Sequence, residues 1–174
     1  MPGGMAEVAD QLAGDPGDPD LIDTGEPPAA FVGARFAVCT VTGLEVALPS
    51  QFPVVTLTAE NGQRRSLAIP IGLTEGVALA QAMQGVPTPR PLTHELFAQA
   101  LRAAGADLIA VRIVGRTAGT YLAELDLMGS RGRECLSCRP SDGVILALRQ
   151  PVAAPILVDE RLFVQVGDVP PIEA

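Results

Sequence analysis

Three short segments place reactive side chains where an extended chain would turn into a helix. Arg139-Pro140-Ser141-Asp142 sets a guanidinium, a hydroxyl and a carboxylate beside the free N–H groups of a helix start. Such a place can bind a phosphate or, through the acid, hold a metal ion. Thr74-Glu75 offers a second acid in the same setting. Arg90-Pro91-Leu92-Thr93-His94 carries the only histidine of the chain, beside an arginine held between two prolines. A histidine there could act as a general base, or as a donor to phosphate, near neutral pH. Each group also has an ordinary structural role. Ser141 can cap a helix, Glu75 and Asp142 can answer the helix dipole, Arg139 can pair with a neighbour, and His94 can cap or pack.

The two acids are related to each other. Shifting the sequence by 67 positions lays Thr74-Glu75-Gly76-Val77-Ala78-Leu79-Ala80 over Ser141-Asp142-Gly143-Val144-Ile145-Leu146-Ala147, with four positions identical and two conservative. Each copy follows an apolar alternating run, as expected where a strand hands over to a helix N-terminus. The chain therefore reads as two related halves, each with one acid at one strand-to-helix junction. Brought together by pseudo-symmetry, the acids could share a divalent ion or divide acid and base roles.

The elements that must position these groups follow from pattern and turn chemistry. Alternation predicts strands at about 36–48, 53–60 and 65–71, with turns at Pro49-Ser50-Gln51 and at Glu60-Asn61-Gly62-Gln63. A helix is predicted from Thr74 to Gln84, burying Val77, Ala80 and Met83 and ended by Gly85. The prolines of Val86 to Pro91 make a stiff connector. Thr93 is positioned to cap a second helix whose stripe is Leu96, Phe97, Ala100, Leu101 and Ala104, ending at Gly105. Strands at about 108–116, 120–128 and 133–138 and a helix from Ser141 to Arg149 repeat the order, and a short strand at 155–158 and an element near 159–164 close the domain. The expected fold is α+β: two βββα-like halves with an intervening helix, mainly antiparallel sheet packed with helices.

Composition narrows the chemistry. Residues 1–30 hold seven acids, no basic residue and repeated Pro and Gly, and read as a disordered acidic tail. Removing those seven from the chain's 20 acids leaves 13 against 12 basic residues, so the domain at 31–165 is nearly neutral, with a flexible C-terminus at 166–174. All basic residues are arginine, which excludes Schiff-base chemistry and a Walker-type phosphate lysine. Aromatic residues make up 3% of the chain, which argues against a base-stacking platform; a bound polynucleotide would rest on Arg90, Arg139 and Arg149, with Arg64 or Arg65. Cys135 and Cys138 have the spacing of half a zinc knuckle, but on a strand they point to opposite faces, and Cys39 reads as core. With neither an export signal nor a membrane-length apolar run, and an odd number of cysteines, a cytoplasmic protein with free thiols and no membrane partner is expected.

Taken together, Ile69-Pro70-Ile71-Gly72 through Glu75, Pro89-Arg90-Pro91-Leu92-Thr93-His94-Glu95-Leu96, and Arg139-Pro140-Ser141-Asp142 with Ala147-Leu148-Arg149 resemble, in sequence and in order, the bifunctional nuclease (BFN) domain family. The resemblance spans about residues 36–158. It implies a compact α+β domain found in bacteria and plants, and cleavage of DNA and RNA. Glu75, Arg90, His94, Arg139, Ser141 and Asp142 match the family's characteristic polar positions. Gly76 and Gly143 stand where alanine is usual after each acid, and Pro70 where tryptophan is common; the glycines imply either relaxed constraint or a closer backbone approach. The implied activity is phosphodiester hydrolysis. A divalent ion (Mg or Mn) on Asp142 and Glu75 would activate water, His94 would move a proton, and Arg90, Arg139, Ser141 and Arg149 would bind substrate, without an organic cofactor. The alternative is a non-catalytic regulatory module binding a small anion, a nucleotide or a protein partner. A homo-oligomer is expected in either case.

Overall fold

The computed structural model describes residues 34–46, 51–62, 65–85 and 89–163. The first half is β1 (Phe36–Val46), β2 (Pro53–Ala59), β3 (Ser66–Pro70) and α1 (Leu73–Gln84). Helix α2 (Thr93–Ala103) follows, then β4 (Asp107–Thr117), β5 (Thr120–Gly129), β6 (Gly132–Cys138) and α3 (Pro140–Leu148). Strand β7 (Ile156–Asp159) and a single 3-10 turn (Glu160–Leu162) complete the described chain. The fold is α+β, and the two βββα units are present as expected. Pro49 and Ser50 of the expected first turn, the acidic tail and the C-terminal stretch lie outside the described residues.

All seven strands form one sheet in the order β3-β2-β1-β7-β4-β5-β6. Each half contributes an antiparallel meander, and β7 fills the seam, antiparallel to β1 and parallel to β4. β1 and β4 therefore run in opposite directions, as a twofold axis between the halves requires. Tight turns set the meanders. Gly62 takes φ 75° in the β2–β3 connection, and Ala118 and Gly119 take φ 47° and 83°, the pair of positive angles that a two-residue hairpin needs. The three helices pack on one face of the sheet, α3 in contact with both α1 and α2. Between the layers lie Val55, Leu57, Val111, Ile113, Leu79, Val144, Ile145 and Val158, each 1% exposed or less.

Gly76 and Gly143 stand at equivalent first-turn positions of α1 and α3. A Cβ on Gly76 would lie 2.6 Å from Pro53 Cγ, and one on Gly143 2.6 Å from Val111 Cγ1 and 3.3 Å from Cys138 Sγ. Close backbone approach, rather than relaxed constraint, thus accounts for both glycines. Because Val111 is fully buried in the middle of the sheet, Gly143→Ala should overpack the core and lower stability by about 1–3 kcal/mol. Denaturant unfolding checks this: Gly143→Ala combined with Val111→Ala should be less destabilised than the two single changes added together.

The helix faces depart from the periodic reading. On α1 the buried residues are Gly76, Leu79 and Ala82, whereas Val77 and Met83 are exposed. On α2 only Leu101 of the expected apolar stripe packs on the core: Leu96 is 56% and Phe97 42% exposed, Ala100 and Ala104 are exposed too, while Ala98 is buried and His94 and Glu95 face inward. The caps differ as well. Gly72, Leu92 and Arg139 hold the N-cap positions, so Thr93 and Ser141 fall inside their helices, with Pro140 at the first turn of α3. Glu95 Oε2 accepts from the Leu92 N–H at 3.0 Å and supplies the cap that Thr93 does not.

The sheet face away from the helices carries its own polar cluster. Asp126, 1% exposed, accepts hydrogen bonds from Arg112 and from Arg133, the latter's Nε at 2.6 Å. Cys135, paired across the strands with Asp126, belongs to this face, while Cys138 packs under Gly143 on the helix side. The two thiols diverge, as strand geometry requires. Burial pushes Cys39 and Cys138 up to about 11, so both are protonated core groups near neutral pH.

Candidate functional site

The pseudo-twofold brings the first turns of α1 and α3 together, and with them the two related acids. Arg139, extended at the N-cap of α3 (φ −75°, ψ 145°), directs its guanidinium between them. Nη1 donates to Glu75 Oε1 at 2.7 Å, Nε to Asp142 Oδ2 at 2.8 Å and Nη2 to Asp142 Oδ1 at 3.0 Å. From α2, His94 Nε2 lies 3.1 Å from Asp142 Oδ1. His94, Asp142, Arg139 and Glu75 thus form one continuous chain of contacts drawn from three helices. The inward turn of α2's polar residues is what places His94 in it.

The electrostatics follow from these bonds. Burial pushes the Asp142 carboxyl up, but the hydrogen bonds and charge of Arg139 and His94 outweigh it and hold Asp142 below the usual carboxylate range. Bonding to Asp142, then to Glu75, raises the pKa of the Arg139 guanidinium. Three of the five guanidinium N–H groups are committed, and the side chain is 65% exposed, which leaves two donors for a ligand. His94 Nδ1 has no partner among the described residues.

Arg139, Glu75 and Ser141 line a cleft of about 290 Å³. Its other walls come from the β3–α1 junction (Ile69 to Gly72), from the β4–β5 hairpin (Gly119 to Tyr121) and from Pro140. The β3–α1 junction, at one edge of the sheet, and the β4–β5 hairpin, near the other, thus meet in one hollow. Asp142 and His94 stand behind Arg139.

Other expected site residues lie elsewhere. Arg149, at the far end of α3, is 11% exposed and its Nη1 is 2.8 Å from Glu95 Oε1, a half-hidden ion pair tying α2 to α3. This bond fixes the helix that carries His94, so Arg149 acts on the cluster through position rather than by reaching the cleft. Arg90 is exposed on the connector before α2 and does not line the cleft. Arg65 holds Glu160 at 3.2 Å and lies 5.0 Å over the Phe163 ring, so it closes the C-terminal turn; Arg64 lies outside the described residues. Tyr121 and Glu95 were not anticipated. Glu95 carried a signal, an acid in a first turn opposite an arginine-ended helix; the lone Tyr121 carried none.

Whether Glu75 and Asp142 suit a divalent ion can be judged from their donors. Glu75 Oε1 and both Asp142 oxygens already accept from Arg139 or His94, and the guanidinium occupies the space between the carboxylates. No group of three His, Cys, Asp or Glu side chains suited to a metal ion is found among the described residues. As arranged, the pair is matched to a cationic side chain rather than to a divalent ion, which would have to displace Arg139.

Comparison with known proteins fits this architecture. A family model described as Bifunctional nuclease domain matches residues 55–169. An uncharacterized protein of Mycobacterium tuberculosis (strain ATCC 25618 / H37Rv) is 43% identical over 134 residues, covering 77% of this chain and 78% of the relative, and an uncharacterized protein of strain CDC 1551 / Oshkosh matches to the same extent. The chain belongs to the bifunctional nuclease domain family. No helix among the described residues is long and apolar enough to cross a membrane.

Proposed function

We propose that the chain hydrolyses phosphodiester bonds of DNA or RNA at the His94–Asp142–Arg139–Glu75 cluster. The observation that carries this reading is a guanidinium held by two carboxylates with donors to spare, beside a histidine oriented by one of the same carboxylates. A substrate phosphate accepts from the uncommitted N–H groups of Arg139, whose charge offsets the negative charge that develops on the phosphorane. His94 Nδ1 takes a proton from the attacking water and Asp142 stabilises the imidazolium so formed, while the leaving oxygen, departing from the opposite side of phosphorus, takes its proton from solvent. Glu75 holds the guanidinium in place from its other side. Ser141, buried at the start of α3, shapes the cleft floor where the first-turn N–H groups open.

Proton transfer and guanidinium stabilisation need no divalent ion, so a chelator separates this mechanism from the metal-centred one. Purified protein should cleave a labelled single-stranded oligonucleotide at a comparable rate with and without chelator. Loss of cleavage in chelator, with recovery on adding Mg or Mn, would return the carboxylates to the role of metal ligands. Binding without any cleavage would favour the regulatory module.

A further inference from the structure

Of the cluster, Arg139 and Glu75 line the cleft, and the rest of its lining is of another kind. Ile69, Pro70, Ile71 and Pro140 give apolar walls, and Tyr121 stands among them. The hairpin fixes that ring. Ala118 and Gly119 turn the chain tightly, Tyr121 pairs with Arg116 across the strands, and the Arg116 guanidinium lies 5.0 Å over the ring centroid while its Nε donates to Gly119 O at 3.3 Å. Arg116 does not line the cleft, so it backs the ring on one face while Tyr121 borders the hollow. Tyr121 thus lines the same cleft as Arg139, and an aromatic ring sharing a hollow with an anion-binding arginine can stack a base while its phosphate is bound.

Size narrows the ligand further. A hollow of about 290 Å³ is at the lower limit of small-molecule sites and has room for one nucleotide, not for a base pair. A base inside a duplex has its faces stacked and its edge paired, and would have to be extruded to reach Tyr121. We infer that the cleft takes one unpaired nucleotide at a time, its base on Tyr121 and its phosphate on Arg139, so that the preferred substrate is single-stranded nucleic acid. This rests on the reading of Arg139 as the phosphate-binding end. This departs from the sequence reading, in which the low aromatic content argued against a base-stacking platform: the fold sets the single tyrosine in the cleft, and one base needs one ring.

The chain has one tyrosine and no tryptophan, so its intrinsic emission reports on Tyr121 alone. Adenosine 5′-monophosphate should quench that emission, after correction against free tyrosine amide at the same absorbance, whereas ribose 5-phosphate should bind and leave it unchanged. By calorimetry the nucleotide should bind about tenfold or more tighter than ribose 5-phosphate, the range of a base–aromatic stack. Tyr121→Leu should remove that difference and Tyr121→Phe retain it. Equal affinity for the two probes, unaltered in Tyr121→Leu, overturns the base site and leaves the phosphate end standing. Faster cleavage of duplex than of single strand overturns it as well, with hydrolysis intact. Failure of both probes to bind removes the phosphate end and the inference together.

Discussion

Asp142→Asn is expected to lower the cleavage rate of a single-stranded oligonucleotide by about ten-thousandfold, the scale seen when the carboxylate that orients a catalytic histidine loses its charge. Asp142 bonds both partners at once, His94 at 3.1 Å and Arg139 at 2.8 and 3.0 Å. An amide of the same shape cannot accept from all of them, because one of its two terminal atoms is a donor. Its NH2 group must face either His94 or Arg139, which turns the imidazole to the wrong tautomer or loosens the guanidinium. Since Asp142 stands behind Arg139, the loss should fall on kcat with KM little changed. The unfolding midpoint should move by little, because the pairs being weakened are partly solvated.

The largest stability effect should come from the opposite face of the sheet. Asp126→Ala removes the buried carboxylate shared by Arg112, whose side chain is 9% exposed, and Arg133, and should cost about 3–5 kcal/mol, the scale of breaking a buried ion pair. Cleavage per folded molecule should be unchanged, because β5 turns Asp126 away from the face that carries Tyr121. A same-size apolar pair, Arg112→Met with Asp126→Leu, should recover most of the loss. The effect also has a pH signature. Burial raises the Asp126 carboxyl, but hydrogen bonds and charge from Arg133 and Arg112 outweigh it and hold its folded pKa below the ordinary value. Its stabilisation is therefore fully present above the unfolded pKa of about 3.9 and is lost as pH falls through the folded value. Asp142 and Asp159 shift in the same direction. Chemical unfolding from neutral pH down to acid should show wild type weakening below about pH 4, with a flatter profile in Asp126→Ala.

Much of this architecture was legible because it is local. Alternation, Asn61-Gly62 and Ala118-Gly119 mark the meanders, and the echo of Thr74–Ala80 in Ser141–Ala147 announces both the duplication and the meeting of Glu75 with Asp142. What could not be read depends on tertiary partners. Strand β7 has four residues, and nothing in them says that they pair with β1 on one side and β4 on the other. The face of α2 was misjudged because a helical wheel assigns the apolar side to the core. Here His94 and Glu95 turn inward to meet Asp142 and Arg149, which leaves Leu96 and Phe97 outside. Arg149 was expected at the substrate because cations suit phosphate, yet its partner sits on the neighbouring helix. Tyr121 joins the site only because the β4–β5 hairpin meets the β3–α1 junction there, and that meeting has no signature in one strand.

The most direct measurement is the cleavage of a labelled single-stranded oligonucleotide, in chelator, by wild-type protein and by Asp142→Asn purified in parallel. Cleavage by wild type that falls about ten-thousandfold in the variant, at nearly equal thermal stability, is the result predicted for a His94–Asp142–Arg139–Glu75 hydrolytic centre. Equal cleavage by both proteins, or none by either, would contradict it.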